Sequence, residues 1–278
     1  MERMDNLVLR VDAFGLTDRG RQRPTNQDSF AIAELRRALL VRQSNLRQPD
    51  TLIGDELGHL FIVADGMGGH LGGEQASALA VETIEQFLLN TLGWLFGLSG
   101  DEVLTEFKQA LRAADHRVVE AAAQKPQLGG MGTTVTMAYA TGKTLYAAHV
   151  GDSRLYLWRR GNLVRVTRDH TVVAQLVSEG VLSPEQAATH KLRHLITNAV
   201  GGPSEGVRPE IHKVALEAED VLLLCTDGLT EMLAESDIAQ VLHRGKPPET
   251  CCQRFVELAN ERGGHDNVTA VVARFAAV

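Results

Sequence analysis

Four aspartates stand where an apolar or glycine-rich stretch of the sequence ends, and they are the residues best suited to carry chemistry. They are Asp28, Asp65, Asp227 and Asp266. Carboxylates gathered at strand ends repel one another unless cations neutralise them, and oxygen-only ligands select hard ions such as Mg²⁺ or Mn²⁺. The sequence therefore indicates a site for divalent cations.

The alternative is that these aspartates are ordinary turn residues. A single Asp-Gly dipeptide after a strand is more often a turn than a metal ligand. Here Asp65 and Asp227 both follow an apolar run and precede a glycine, and Asp28 and Asp266 lie in similar junctions. The conjunction of the four, rather than any one of them, favours the metal-site interpretation.

Composition excludes several other classes of protein. The 278-residue chain is 44% hydrophobic, which suffices for a sizeable core in one large domain or two small ones. Its formal net charge of -7 argues against nucleic-acid binding. Three cysteines, two of them adjacent, form neither a disulfide framework nor a spaced metal pair. Since no stretch reads as a secretory signal or a membrane span, we expect a cytoplasmic protein without a membrane partner.

The elements that must position these aspartates are strands joined by tight turns, with helices between them. Glycine and asparagine predict hairpin turns at 141–143 and 160–162, so the flanking strands are expected to be antiparallel. Strands are predicted from apolar runs at Leu60–Ala64, Thr133–Ala140, Thr144–Val150, Leu155–Trp158, Val221–Cys225 and Val268–Phe275.

Helical periodicity is clearest over Glu74–Leu92, Glu102–Ala123 and Pro248–Arg262. A smaller helical patch is predicted between Asp169 and Pro203, and Arg36–Gly58 is interpreted as a loop or a strand extension. Long helices between hairpin-linked strands favour an α+β fold rather than strict βαβ alternation.

With these elements in place, the sequence resembles the metal-dependent serine/threonine protein phosphatases of the PP2C (PPM) family, in its compact bacterial form. The resemblance covers nearly the whole chain, from Thr17 to Phe275. It is carried by an ordered set of motifs: Arg23 to Asp28, Asp65-Gly66-Met67-Gly68-Gly69-His70, Gly132-Thr133-Thr134, Val150-Gly151-Asp152-Ser153-Arg154, Thr167-Arg168-Asp169-His170, Thr226-Asp227-Gly228-Leu229 and Asp266-Asn267.

The resemblance implies a single catalytic domain over residues 1–278, built as a four-layer α/β/β/α sandwich of two antiparallel sheets flanked by helices. A flap subdomain associated with substrate selection would span about 169–203. It also implies hydrolysis of phosphoserine and phosphothreonine by a metal-bridging hydroxide, in opposition to a serine/threonine kinase. A monomer is expected.

The resemblance further assigns the cations, two Mn²⁺ or Mg²⁺ with a third, weaker one. Asp65 would bridge two ions with the Gly66 carbonyl as a further ligand, and Asp227 and Asp266 would hold one ion. Asp28 would reach the cluster largely through water. Asp152 would hold the third ion together with Asp227. Glu231, four residues after Asp227, is a further candidate there because the family often has a carboxylate at that position.

The substrate phosphate is assigned to Arg23, because a guanidinium fork matches two phosphate oxygens. Two departures from the family bear on mechanism. Met67 stands where some members have a histidine proposed as general acid, so a metal-bound water, His70 and His170 stay open as proton donors. Gln27 replaces a glutamate found in many relatives, which removes one negative charge near the metals.

Three alternatives are weighed beside this interpretation. His190 and His194 would share one face of a helix, but without a third ligand at a fitting spacing a solvated or hydrogen-bonded pair is favoured over zinc. A catalytically silent module that recognises phosphoproteins would keep the same fold. A small-molecule phosphomonoesterase would share the metal motifs.

Overall fold

The computed structural model describes residues 9–40, 51–95, 99–202, 206–243 and 245–277. Within them the chain has twelve strands and seven α-helices. The strands are β1 (Leu9–Asp18), β2 (Asp28–Leu40), β3 (Thr51–Met67), β4 (Gly132–Thr133), β5 (Val135–Thr141), β6 (Thr144–Val150), β7 (Arg154–Arg159), β8 (Asn162–Arg165), β9 (Val200–Gly201), β10 (Glu210–Ala215), β11 (Val221–Cys225) and β12 (Val268–Ala277). The helices are α1 (Gly69–Leu95), α2 (Gly100–Gln124), α3 (Val172–Ser178), α4 (Pro184–Ala188), α5 (Asp227–Thr230), α6 (Glu235–His243) and α7 (Pro248–Glu261).

The strands form two antiparallel sheets. One has five strands in the order β1-β12-β11-β7-β8, and the other has seven, in the order β10-β6-β5-β3-β4-β9 with β2 paired to β3. Two of the tight turns have the positive φ angles that their sequences predict, at Gly142 (54°) and at Arg160 and Gly161 (50° and 86°). The structure therefore confirms both predicted hairpins.

Alternating side chains on the central strands build three cores. On β3, Leu60 and Ile62 pack against α1 and α2, whereas Phe61 and Val63 point at the other sheet. On β11, Leu223 points towards α6 and α7, whereas Leu222 and Leu224 point into the core between the two sheets. Because strand side chains alternate between faces, each sheet contributes to two cores. The result is the four-layer α/β/β/α sandwich that the resemblance implied.

The predicted helices are confirmed with small shifts at their ends. The helix predicted over Glu74–Leu92 extends over Gly69–Leu95, and the one predicted over Glu102–Ala123 is α2. The backbone N–H of Ser99 donates to the Glu102 carboxylate at 2.7 Å, which satisfies one free donor at the start of α2. None of the described helices combines the length and apolar character needed to cross a bilayer.

The segment between β8 and β9 holds the two short helices α3 and α4. Ser183 caps α4 with Gln186 in a reciprocal pair, in which Ser183 N donates to Gln186 Oε1 at 2.8 Å. Pro184 occupies the first turn, as the sequence predicted. A bridge between Thr171 and Ile196 closes the base of the segment.

Several elements went beyond the sequence predictions. The strands β1 and β10, the first part of β2 and the helix α6 were not predicted. Within Arg36–Gly58 the described residues are strand, since β2 runs to Leu40 and β3 begins at Thr51, which confirms the strand-extension interpretation over the loop. Residues 41–50 of that prediction lie outside the described residues.

Candidate active site and metal centre

The β2 and β3 pairing brings the first two aspartates together. Asp28 and Asp65 lie directly opposite each other in the antiparallel register. Across the sandwich, Thr226 Oγ1 and Thr269 Oγ1 donate to Asp28 Oδ2 at 2.8 and 2.6 Å. These hydroxyls belong to the ends of β11 and β12 in the other sheet, so Asp28 joins the two sheets at one edge.

The backbone of Asp65 is fixed by the Gly132-Thr133-Thr134 motif. Thr134 N donates to Asp65 O at 2.9 Å, and Asp65 N donates to Thr134 Oγ1 at 3.0 Å. Thr133 Oγ1 also donates to Asp65 O at 2.8 Å. At Gly66, an added Cβ would lie 2.0 Å from the carbonyl oxygen of Gly73, so only glycine fits after Asp65.

Burial and mutual repulsion oppose ionisation of these aspartates. Burial is the main cause that raises the pKa of Asp28 to about 7, despite its two hydroxyl donors. The pKa values of Asp65 and Asp227 are raised well above their ordinary range, first by burial and then by the charges of neighbouring aspartates. Asp28 Oδ1 and Asp227 Oδ1 are buried and find no hydrogen-bond partner among the described residues. Clustered carboxylate oxygens without donors fit hard divalent cations, which would neutralise and coordinate them.

Asp266 and Arg23 lie at the same edge. Arg23 Nε donates to Asp266 Oδ1 at 2.7 Å, and Arg23 Nη2 donates to Asp266 Oδ2. The hydrogen bond to Asp266 is the main cause that raises the pKa of Arg23, and the charges of Asp227 and Asp65 add to it. With 53% of its side chain exposed, Arg23 faces solvent beside the carboxylates, where a phosphate would enter.

Asn267 holds the loop that carries Arg23. Its Nδ2 donates to Arg19 O and Thr25 O, both at 2.9 Å, and its Oδ1 accepts from Gln27 N at 2.8 Å. One amide side chain therefore fixes both ends of the segment between β1 and β2. This positioning role of Asn267 was not predicted from the Asp266-Asn267 motif.

Asp152 lies in a cleft of about 1180 Å³ together with Asp227 and Glu231. Burial, followed by the charge of Asp169, raises the pKa of Asp152 to about 7. Its Oδ1 is buried and also finds no partner in the described part of the chain. The structure thus places Asp152 in the same cleft as Asp227.

Of the two histidines left open as proton donors, the structure describes the side chain of His170. His170 Nδ1 accepts from Gly151 N at 3.2 Å and lies 3.0 Å from Asn198 Nδ2, while its Nε2 lies 3.9 Å from Glu210. This ring ties the loop of Asp152 to the base of the β8–β9 segment. The side chain of His70 lies outside the described residues.

The pair His190 and His194 does not share a helical face, because α4 ends at Ala188 and both residues follow it. His190 Nδ1 accepts from Leu192 N at 3.2 Å. His194 Nδ1 lies 2.7 Å from Glu231 Oε1. The two histidines make separate contacts and do not form a pair.

The sheet edge thus holds a carboxylate cluster suited to divalent cations, with an arginine beside it, on an α/β/β/α sandwich. The sequence pattern of the protein phosphatase 2C family matches residues 41–262. The chain belongs to this family of metal-dependent serine/threonine phosphatases.

Relatives of the chain carry the names of serine/threonine phosphatases. The chain is 32% identical over 256 residues to the serine/threonine phosphatase stp of Listeria welshimeri, with 92% of each chain covered. It is 38% identical over 214 residues to the serine/threonine protein phosphatase PstP of Mycobacterium tuberculosis, covering 77% of this chain but only 40% of PstP. A solved structure of the PstP catalytic domain, in complex with two manganese ions, is 34% identical with a TM-score of 0.74 and covers 97% of this chain and 99% of that one.

Proposed function

We propose that this chain hydrolyses phosphoserine and phosphothreonine in proteins, with two Mn²⁺ or Mg²⁺ ions and a third, weaker one. The observation that carries the proposal is the convergence of Asp28, Asp65, Asp227 and Asp266 from both sheets, with buried oxygens that have no donor. The family, and relatives that are named serine/threonine phosphatases, support it.

The residue roles follow from this placement. Asp65 would be a ligand of both ions, with the Gly66 carbonyl as a further ligand. Asp227 and Asp266 would be ligands of one ion, and Asp28 would reach the ions from the buried side, largely through water. When bound, the ions supply an activated water and neutralise charge on the reacting phosphate. No serine, cysteine or histidine nucleophile is then required.

Arg23 would orient the phosphate ester. A guanidinium pairs two phosphate oxygens at once, which fixes the phosphorus relative to the carboxylate cluster. Its present fork on Asp266 sets the direction of the side chain and leaves half of it exposed. Substrate binding and metal binding therefore meet at Asp266.

We also infer the domain organisation, the substrates, the oligomeric state and the cellular location. The segment 169–203 would be a flap on a single catalytic domain spanning 1–278, because its helices line the cleft beside Asp152. Proteins phosphorylated by a serine/threonine kinase are the proposed substrates, with the chain acting as a monomer. Three buried, unpaired cysteines suit a reducing cytoplasm.

Phosphate release from a phosphothreonine peptide tests the proposal, measured with Mn²⁺, with Mg²⁺ and with EDTA, beside a sugar phosphate. We expect metal-dependent turnover of the peptide and much slower turnover of the sugar phosphate. Activity that survives EDTA would contradict the metal mechanism. Peptide binding without turnover would support a silent recognition module instead, and a preference for the sugar phosphate would support a small-molecule phosphomonoesterase.

A further inference from the structure

His194, in the segment between β8 and β9, contacts Glu231 in the cleft that Asp227 also lines. His194 follows α4, and its Nδ1 lies 2.7 Å from Glu231 Oε1. Glu231 is the residue at the C-terminal end of α5, which begins at Asp227. The contact therefore joins the segment to the same short helix that provides a proposed metal ligand.

The helix geometry presents both carboxylates to this histidine. Glu231 N donates to Asp227 O at 2.8 Å, which closes one helical turn and puts residues four apart on one face. One ligand atom from each of His194, Asp227 and Glu231 lies within 4.8 Å of the others. That spacing allows one cation to contact all three.

A second observation points to a cation rather than to an ion pair alone. Asp152 lines the same cleft, is only 9% exposed, and has an Oδ1 without a hydrogen-bond partner among the described residues. Its charge and that of Glu231 both act on the Asp227 carboxyl. An imidazole paired with Glu231 leaves the Asp152 and Asp227 oxygens without a partner in the described part of the chain, whereas a cation among His194, Asp227 and Glu231 would engage Asp227 and place positive charge in the cleft that Asp152 lines.

The other histidine cluster of the described chain behaves differently. His149 Nδ1 lies 2.8 Å from Thr136 Oγ1, and its Nε2 lies 3.0 Å from the carbonyl oxygens of both Gly151 and Arg168. Because two carbonyls can only accept, Nε2 carries the proton and donates to them. His149 is thus committed to the backbone, whereas the His194 ring is 48% exposed and its Nδ1 faces the carboxylate of Glu231.

We propose that His194 supplies a nitrogen ligand to a cation held by Asp227 and Glu231, in the cleft that Asp152 also lines. The inference rests on the proposed function, in which Asp152 and Asp227 hold a third ion. Two consequences follow. An imidazole among carboxylates favours Mn²⁺ over Mg²⁺, because Mg²⁺ prefers oxygen ligands. Loading this ion would also tie the flap to α5, next to the reacting centre.

Pulsed electron paramagnetic resonance of bound Mn²⁺ tests the proposal directly. The protein, labelled with ¹⁵N only in histidine, would be loaded with Mn²⁺ until all sites are filled. We expect a histidine ¹⁵N coupling in the wild type that is lost in His194→Gln. His190→Gln is the matched control, because that histidine belongs to the same segment and its side chain accepts a hydrogen bond from the Leu192 backbone rather than facing Glu231. It should retain the coupling.

Calorimetric titration provides the second measurement. His194→Gln should weaken the weakest Mn²⁺ site by about tenfold or more and change Mg²⁺ binding far less, as expected for a lost nitrogen ligand. Hydrogen exchange over residues 171–198 should slow on Mn²⁺ loading in the wild type and in His190→Gln, but not in His194→Gln.

The outcomes separate this inference from the proposed function. A wild type that binds Mn²⁺ and hydrolyses phosphopeptide without a histidine coupling would overturn the His194 ligand and leave the phosphatase intact. A coupling that persists in His194→Gln would also overturn it, since another histidine would be its source. A wild type that binds neither Mn²⁺ nor Mg²⁺ would overturn both proposals.

Discussion

At the scale of single residues, the chemistry depends on carboxylates held close together against their own repulsion. Thr226 and Thr269 make this possible for Asp28, because their hydroxyls stabilise one of its oxygens and leave the other bare. Removing either donor would leave a buried carboxylate with less compensation. The threonines are therefore part of the site although they carry no charge.

Arg23→Ala tests the phosphate role at this scale. Loss of a charge-assisted fork should raise KM for a phosphothreonine peptide by about ten- to a hundredfold, with a smaller change in kcat, if the fork binds the ground state. Steady-state kinetics at saturating Mn²⁺ measures both constants.

Arg21→Ala is the matched control, because Arg21 is an exposed arginine of the same loop whose backbone N–H donates to Gly264 O at 2.8 Å. Its kinetic constants should stay close to wild type. Equal effects of the two substitutions would show that Arg23 acts through general charge rather than through a specific fork.

The sequence revealed the charged residues of the site but not the neutral ones that position them. Asp28, Asp65, Asp227 and Asp266 stand in recognisable junctions, so their convergence could be predicted. Thr269 lies 241 residues from the aspartate it serves, and nothing in its local sequence marks that contact. Such partners become visible only when the register of the two sheets is known.

At the scale of elements, strand register decides which residues meet. The β2–β3 pairing sets Asp28 opposite Asp65, and a slip of one residue would turn one of them to the other face. The strand β1 escaped prediction because it lies at the edge of its sheet, and most of its side chains are only partly buried. Edge strands lack the sharp alternation that central strands show.

The end of β6 provides a second prediction, for stability against pH. Burial lowers the pKa of His149 to about 3. The ordinary histidine pKa is about 6.5, so below that pH the unfolded chain binds a proton at this histidine that the folded chain does not bind. The free energy of unfolding therefore falls as the pH falls from about 6.5 towards 3. His149→Gln should remove this dependence, by up to about 1.4 kcal/mol per pH unit. Urea unfolding with EDTA at pH 6, 5 and 4 measures it.

The control is His116→Gln, since His116 is exposed on α2 and should keep the wild-type slope. His149→Gln will lower stability at every pH by losing two carbonyl contacts, so the slope and not the absolute value is decisive. Parallel pH curves for wild type and His149→Gln would contradict a buried neutral histidine.

At the scale of the whole molecule, the acidic cluster links folding to cations and protons. Asp28 and Asp152 each have a pKa of about 7 in the folded chain, far above the ordinary value of 3.8. Between those values the folded chain keeps protons that the unfolded chain releases. Without metal, stability from this source is present below about pH 4 and is lost as pH rises through 7.

Cations should reverse that loss. We expect saturating Mn²⁺ to raise Tm by about 5–10 °C at pH 7.5, and by much less at pH 5, where protons compete for the same oxygens. Differential scanning calorimetry of the metal-free and loaded protein checks this, with Ca²⁺ and K⁺ for comparison. An equal Mn²⁺ effect at both pH values would show that the ion binds away from the cluster.

The most direct test of the central claim compares wild type with Asp65→Asn for phosphothreonine peptide turnover and for bound Mn²⁺. Asparagine keeps the size of the side chain, so circular dichroism should be unchanged. The account predicts that turnover falls by on the order of a thousandfold or more and that at least one Mn²⁺ is lost. An active Asp65→Asn protein with its full complement of Mn²⁺ would contradict the account.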